Sequence, residues 1–255
     1  GGDAVAVGNN AGRNVQAGQT VSVGFSAGQN TQGQHSVAIG YQSGTNVQGG
    51  QSVAIGSGAG NGTQGMLAVA IGMQTAYHKQ GQGSVAIGGS AAFTTQGVQS
   101  VAIGQNAGSV QQGRFSVAIG SSAGYNTQGE STVAIGSSAG YNSQGSGSIA
   151  LGYASGFTGQ GANSIAVGAF AGQTNQGANS IILNASGAGF DATTAGACYI
   201  NPIRAAAAAT AAAGRRGGPR RRRRGGRRRR RAQAAAAASE LEATTSLWVF
   251  FKAFE

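Results

Sequence analysis

Glycine returns every sixteen residues in this chain without a slip, from Gly8, Gly24 and Gly40 through Gly152 to Gly168, with Asn184 in the twelfth place. Each of these glycines closes a stretch such as Ser100-Val101-Ala102-Ile103-Gly104. Eight residues after every one of them stands a glutamine, from Gln16 to Gln176. Such a lock on phase is the signature of an array in which each unit stacks on the next. It also reverses the meaning of the composition. A chain with 48 glycines in 255 residues would read as disordered without a period.

Around each anchor glycine the order is small polar, Val or Ile, Ala, aliphatic, Gly, and alternation with β-branched residues is a strand signal. A helical unit would need more residues and far less glycine. The pattern therefore predicts an all-β chain: a parallel β-solenoid with one coil per sixteen residues, two short strands per coil, and glycines at corners where φ is positive or the backbone crowds. Val and Ile, two apart, share a face, and the Ala between them faces the other way. The expectation is that Val and Ile fill the interior. The Ala column reads Ala in ten of twelve units, with Ser22 and Ile182 the exceptions. A face held to a methyl group implies a close-packed second backbone, so Ala38, Ala54, Ala70, Ala86, Ala102, Ala118, Ala134, Ala150 and Ala166 are expected to line an interface between copies of the chain.

The glutamine column has two structural readings. Stacked amides one coil apart can form a ladder, or each can tie down its own corner by bonding to backbone groups. The residue after the anchor varies freely (Asn9, Phe25, Tyr41, Ser57, Met73) and is expected to face solvent. Five residues after the anchor, Tyr77, Phe93, Tyr125, Tyr141 and Phe157 occupy five of six successive coils, interrupted by Ser109. Such a line of aromatics is either a binding stripe for glycan or protein, or packing in a groove between coils or subunits.

Three segments follow from these patterns: the repeat array at 1–179, a cap at 180–204, and a low-complexity Ala/Arg-rich tail at 205–255. A solenoid's open last coil needs a cap. At Ile181-Ile182-Leu183-Asn184 the Ala and the anchor glycine are lost, and Tyr199, Ile200, Pro202 and Ile203 then add bulk. Four basic and three acidic residues lie up to Arg204, against thirteen basic and three acidic beyond it, so the net charge of +11 belongs to the tail. Arg215 to Arg231 would bind nucleic acid or another anionic surface without sequence choice, or simply form a disordered, solvated run. No aromatic stands among these arginines for base stacking. The opening within a repeat predicts that the chain is part of a longer protein. No apolar run reaches the ~18 residues of a membrane span, so no membrane insertion is expected.

Little here can do chemistry. Cys198 is the only cysteine, which excludes a disulfide framework; it is expected to be a small buried residue or a bridge to another chain. His35 and His78 fall in different columns with no acid to orient them, which supports neither a triad nor a metal site. The glycines of Gly56 to Gly62 suggest a phosphate loop but lack the following Lys and helix. Asn61-Gly62-Thr63 and Asn184-Ala185-Ser186 match glycosylation acceptors. Neither an enzyme nor a cofactor is expected. An ice-binding solenoid would need a regular Thr array. The column seven after the anchor instead alternates Thr31, Thr63, Thr95 and Thr127 with Val15, Val47, Lys79 and Gln111.

"SVAIG" followed by "SAG", recurring with a fixed "QG", resembles the head domain of YadA-like trimeric autotransporter adhesins. The array's end, from Ser180 to Arg204, is similar to the ends of such arrays in fibre or surface proteins of large DNA viruses. The resemblance implies a left-handed parallel β-roll, a homotrimer, and an extracellular head on a cell or virion surface that attaches to a host surface protein or glycan. It places Val117 and Ile119 inside the roll and Ala118 on the trimer-facing side.

Overall fold

The structure is a computed structural model that describes residues 2–203; the predicted tail at 205–255, with its arginine run, lies outside the described residues. The array folds into a parallel β-solenoid of about twelve turns with two sheets. A thirteen-stranded sheet runs from Val5–Val7 to Cys198–Asn201, and a ten-stranded sheet of shorter strands runs from Val15–Gln16 to Thr158–Gln160. Every neighbouring pair is parallel, and within the array each is shifted by one repeat, as in Val101 opposite Val117 and Gln112 opposite Gln128; the final pair, Ile181 opposite Cys198, is shifted by seventeen residues. The sixteen-residue period is therefore the circumference of one coil.

Which side of the strand faces inward is the reverse of the sequence expectation. Val101, Ala102 and Ile103 read half-buried, buried, half-buried, and the same alternation recurs along the sheet. Ala38, Ala54, Ala70, Ala86, Ala102, Ala118, Ala134, Ala150 and Ala166 are all 0% exposed within a single chain, so they form its interior and cannot touch a sister molecule. Val117 and Ile119 lie on the outer face. The reason is circumference. Sixteen residues, most of them spent on corners, close a loop too small to hold two columns of β-branched side chains at the ~10 Å sheet spacing of an ordinary sandwich. Methyl groups fit, and a second buried column, Ala107, Ala123 and Ala139 three residues after the anchor, completes the core.

The corners explain the glycines. At the anchor Gly120, φ is +129°, and a Cβ would stand 2.6 Å from the carbonyl oxygen of Gly136 in the next coil. Gly124 has φ +55°, and its Cβ would stand 2.9 Å from Gln128 Oε1. Elsewhere at the corners the left-handed conformation is taken by residues with side chains, as at Ser122 and Ser131, both at φ +56°. Beyond the array, Ile181–Asn184 and Cys198–Asn201 extend the long sheet in parallel. Ile182 takes the inward place of Ala at 0% exposure, with Phe190 and Tyr199 packed against the same cluster. Cys198 is exposed and not buried, because its register opposite Ile181 puts it in the outward column.

The two faces of the long strand respond differently to added volume. Ala102→Leu overfills the closed interior and is expected to cost about 1–3 kcal/mol. Ile103→Leu, on the outer face, is expected to shift the urea midpoint little in comparison. Equal shifts for the two variants would contradict the inward assignment of Ala102.

Candidate functional site

Two columns of side chains repeat along the molecule and could carry function: the buried glutamines and the aromatic stripe. The glutamines are structural ties. In all eleven units the Nε2 group donates to the carbonyl of the Val or Ile eleven residues earlier in the same coil, at 2.7–3.0 Å from Gln32 onward and 3.3 Å at Gln16. A longer contact reaches the carbonyl four residues ahead, as in Gln112 to Ser116 at 3.4 Å. Each amide thus links the short strand to the long strand across the interior. Of the two sequence readings, the tie to the coil's own backbone dominates, with ladder contacts as additions at Gln128 to Gln144 and Gln160 to Gln176, both 3.3 Å. The buried Oε1 atoms of Gln48, Gln64, Gln128 and Gln160 have no donor among the described residues. They lie 2.6–3.2 Å from where a Cβ would stand on Gly44, Gly60, Gly124 and Gly156.

Rings one coil apart stack because the rise of a coil, ~4.8 Å, is close to a comfortable stacking distance. Tyr77 and Phe93 have centroids 5.4 Å apart at 12°, Tyr125 and Tyr141 5.0 Å at 7°, and Tyr141 and Phe157 4.9 Å at 10°. All five predicted stripe residues are half-buried, and they form two ladders separated by Ser109. His78 closes edge-on against Tyr77 and Phe93. Within each ladder the ring faces cover one another and leave edges to solvent. A sugar ring needs an exposed face, so a continuous platform for glycan is not what this geometry provides.

A second pair, Phe25 and Tyr41, stacks at 5.5 Å in the freely varying column after the anchor, which is solvent-facing as expected. Its signal in the sequence was two aromatics sixteen apart. The Thr-bearing column faces outward as well, at Thr31, Thr63 and Thr127, but remains interrupted by Val47, Lys79 and Gln111.

Other candidates dissolve. Asn184 is 4% exposed with Nδ2 bonded to the Ala169 and Ala188 carbonyls, so that glycosylation acceptor is occupied by the fold, while the half-buried Asn61 donates once from Nδ2, to the Gln42 carbonyl. Arg114 pairs with Glu130 one coil away at 3.1 Å, an exposed pair of small energetic weight. Among the described residues no group of three or more His, Cys, Asp or Glu could hold a metal, and no helix is long and apolar enough to cross a membrane.

The repeat itself is where a likeness to known proteins lies. The model of the YadA head domain repeat matches residues 32–59, 80–107 and 96–123. Over these stretches the chain is similar to the YadA head repeat. They cover coils on both sides of the stretch at 60–79, which keeps the same period. No curated protein and no solved structure gives a significant match. A YadA head repeat belongs to adhesin-like surface proteins and not to an enzyme family.

The glutamine tie can be tested directly. Gln128→Leu removes the donor to the Val117 carbonyl and is expected to destabilise by about 1–3 kcal/mol. Ser121→Ala in the solvent column is expected to stay within about 0.5 kcal/mol. Thermal melts followed by circular dichroism distinguish the two, and an unchanged Gln128→Leu would remove the glutamine's structural role.

Proposed function

We propose that the chain is the adhesive head of a surface protein, on a cell or virion, and that it works as a homotrimer that attaches to a host surface protein or glycan. The observation that carries this reading is the outer face of the long sheet. Its two outward columns hold only Val, Ile and Leu from Val5 to Leu183, with no polar or charged residue among them. Ile39, Ile71, Leu151, Ile181 and Leu183 remain 37–42% exposed in the single chain. Over a dozen coils this is an aliphatic strip ~55 Å long and ~10 Å wide, on the order of 500 Å², near the upper end of what soluble monomers leave uncovered.

Another copy of the chain is the natural cover. The strip repeats every coil, carries no charge, and meets itself in register under rotational symmetry. The three-fold count comes from the YadA head resemblance. The interface thus moves from the Ala column to the Val and Ile columns beside it. Residues 180–204 act in this reading as the cap that prevents end-to-end pairing, and the remaining surface, including the aromatic ladders, is left to meet the host.

Sedimentation velocity of the full chain is expected to give a trimer. The double variant Val101→Glu/Ile103→Glu, which leaves the interior untouched, is expected to give a folded monomer with the same strand signal in circular dichroism. A wild-type monomer would overturn the trimer. For attachment, the wild-type protein coated on beads is expected to be retained on host cells or matrix, and retention no greater than that of uncoated beads would overturn the adhesive role.

A further inference from the structure

The two aromatic ladders belong to a single column. Tyr77 and Phe93 stack below the coil of Ser109, and Tyr125, Tyr141 and Phe157 stack above it. The register runs unbroken through this coil, with Thr95 opposite Gln111 and Gln111 opposite Thr127. Its backbone also keeps the shape of its neighbours: Gly108 and Gly124, which precede Ser109 and Tyr125, both have φ +55°. One rung is missing from an otherwise regular stack. Phe93 and Tyr125 each have one face covered by a ladder partner, and the other faces the Ser109 coil. Two coil rises of ~4.8 Å separate them, about the height of one further ring stacked on both sides at the ladder's own spacing.

We propose that this missing rung is a binding site for one planar aromatic side chain of a partner protein, with a tyrosine phenol the best fit. The walls are the ring faces of Phe93 and Tyr125, which offer offset stacking on both sides of a guest. The floor is Ser109, whose side chain makes no hydrogen bond among the described residues. It is the group that a phenol hydroxyl at the leading edge of an inserted ring would meet. An aliphatic guest of the same size would fill the space without the stacking. The site lies just before the short strand Gln111–Gln112, outside the Val and Ile face of the long sheet. It does not depend on the proposed trimer or on host attachment.

The test uses the full chain and p-cresol as the probe, with 4-methylcyclohexanol as the non-aromatic control, followed by saturation-transfer NMR. Wild type is expected to transfer saturation to p-cresol at least fivefold more than to the control. Ser109→Phe should supply the missing rung from within. Saturation transfer to p-cresol is expected to fall at least fivefold, and the melting temperature to rise by about 2–6 °C. Phe93→Ala, which keeps the corner but removes one wall, is expected to lose the same transfer and guards against a Ser109→Phe chain that fails to fold. Equal transfer to p-cresol and the cyclohexanol, or undiminished transfer in both variants, overturns the site.

Discussion

The structure depends on one hydrogen bond repeated coil after coil, from a buried glutamine amide to a carbonyl on the opposite strand. The interior has room for methyl groups but not for large aliphatic side chains, so hydrophobic burial per coil is modest. The amide supplies what that thin core lacks, a directional link between the two sheets. Its position decides its neighbours. Gly124 stands where a Cβ would strike Gln128 Oε1, and the interior alanines are small because the glutamine already occupies the width between the sheets. Several of these Oε1 atoms have no donor among the described residues.

From the narrow interior follows the apolar exterior. A strand must put alternate residues on opposite faces, and once Ala102 is inside, Val101 and Ile103 are outside. In most sheets the β-branched face is the buried one; here it stays on the surface of the single chain. The solenoid and its apolar outer face are thus two results of the same small circumference. A coil wide enough to enclose its valines would leave no such face.

The aromatic ladders show the second use of periodicity. A rise that matches ring stacking turns any aromatic repeated at one position into a column, with no further design needed. It also turns a single departure, Ser109, into a local feature with defined walls. In a periodic molecule, distinctive surface arises where a column is interrupted. The same holds for Phe25 and Tyr41, a stacked pair in a column that otherwise varies freely.

By itself the sequence determined the coil. The sixteen-residue lock of Gly8 to Gly168 and Gln16 to Gln176 specified a parallel solenoid, its strand positions and its repeat kinship, because stacking in register demands that every unit match the next. The stacking of Tyr125 on Tyr141 was legible for the same reason. Period alone could not tell inside from outside. Alternation shows that Val101 and Ile103 share a face and Ala102 does not, and it is silent on which face closes. The clue lay in variability: the inward column tolerates almost nothing but Ala, while the outward one exchanges Val133 for Ile149 and Ile135 for Leu151. The tertiary structure made the choice, because only the closed ring sets the internal volume, and sixteen residues enclose too little of it for columns of large aliphatic side chains beside a glutamine.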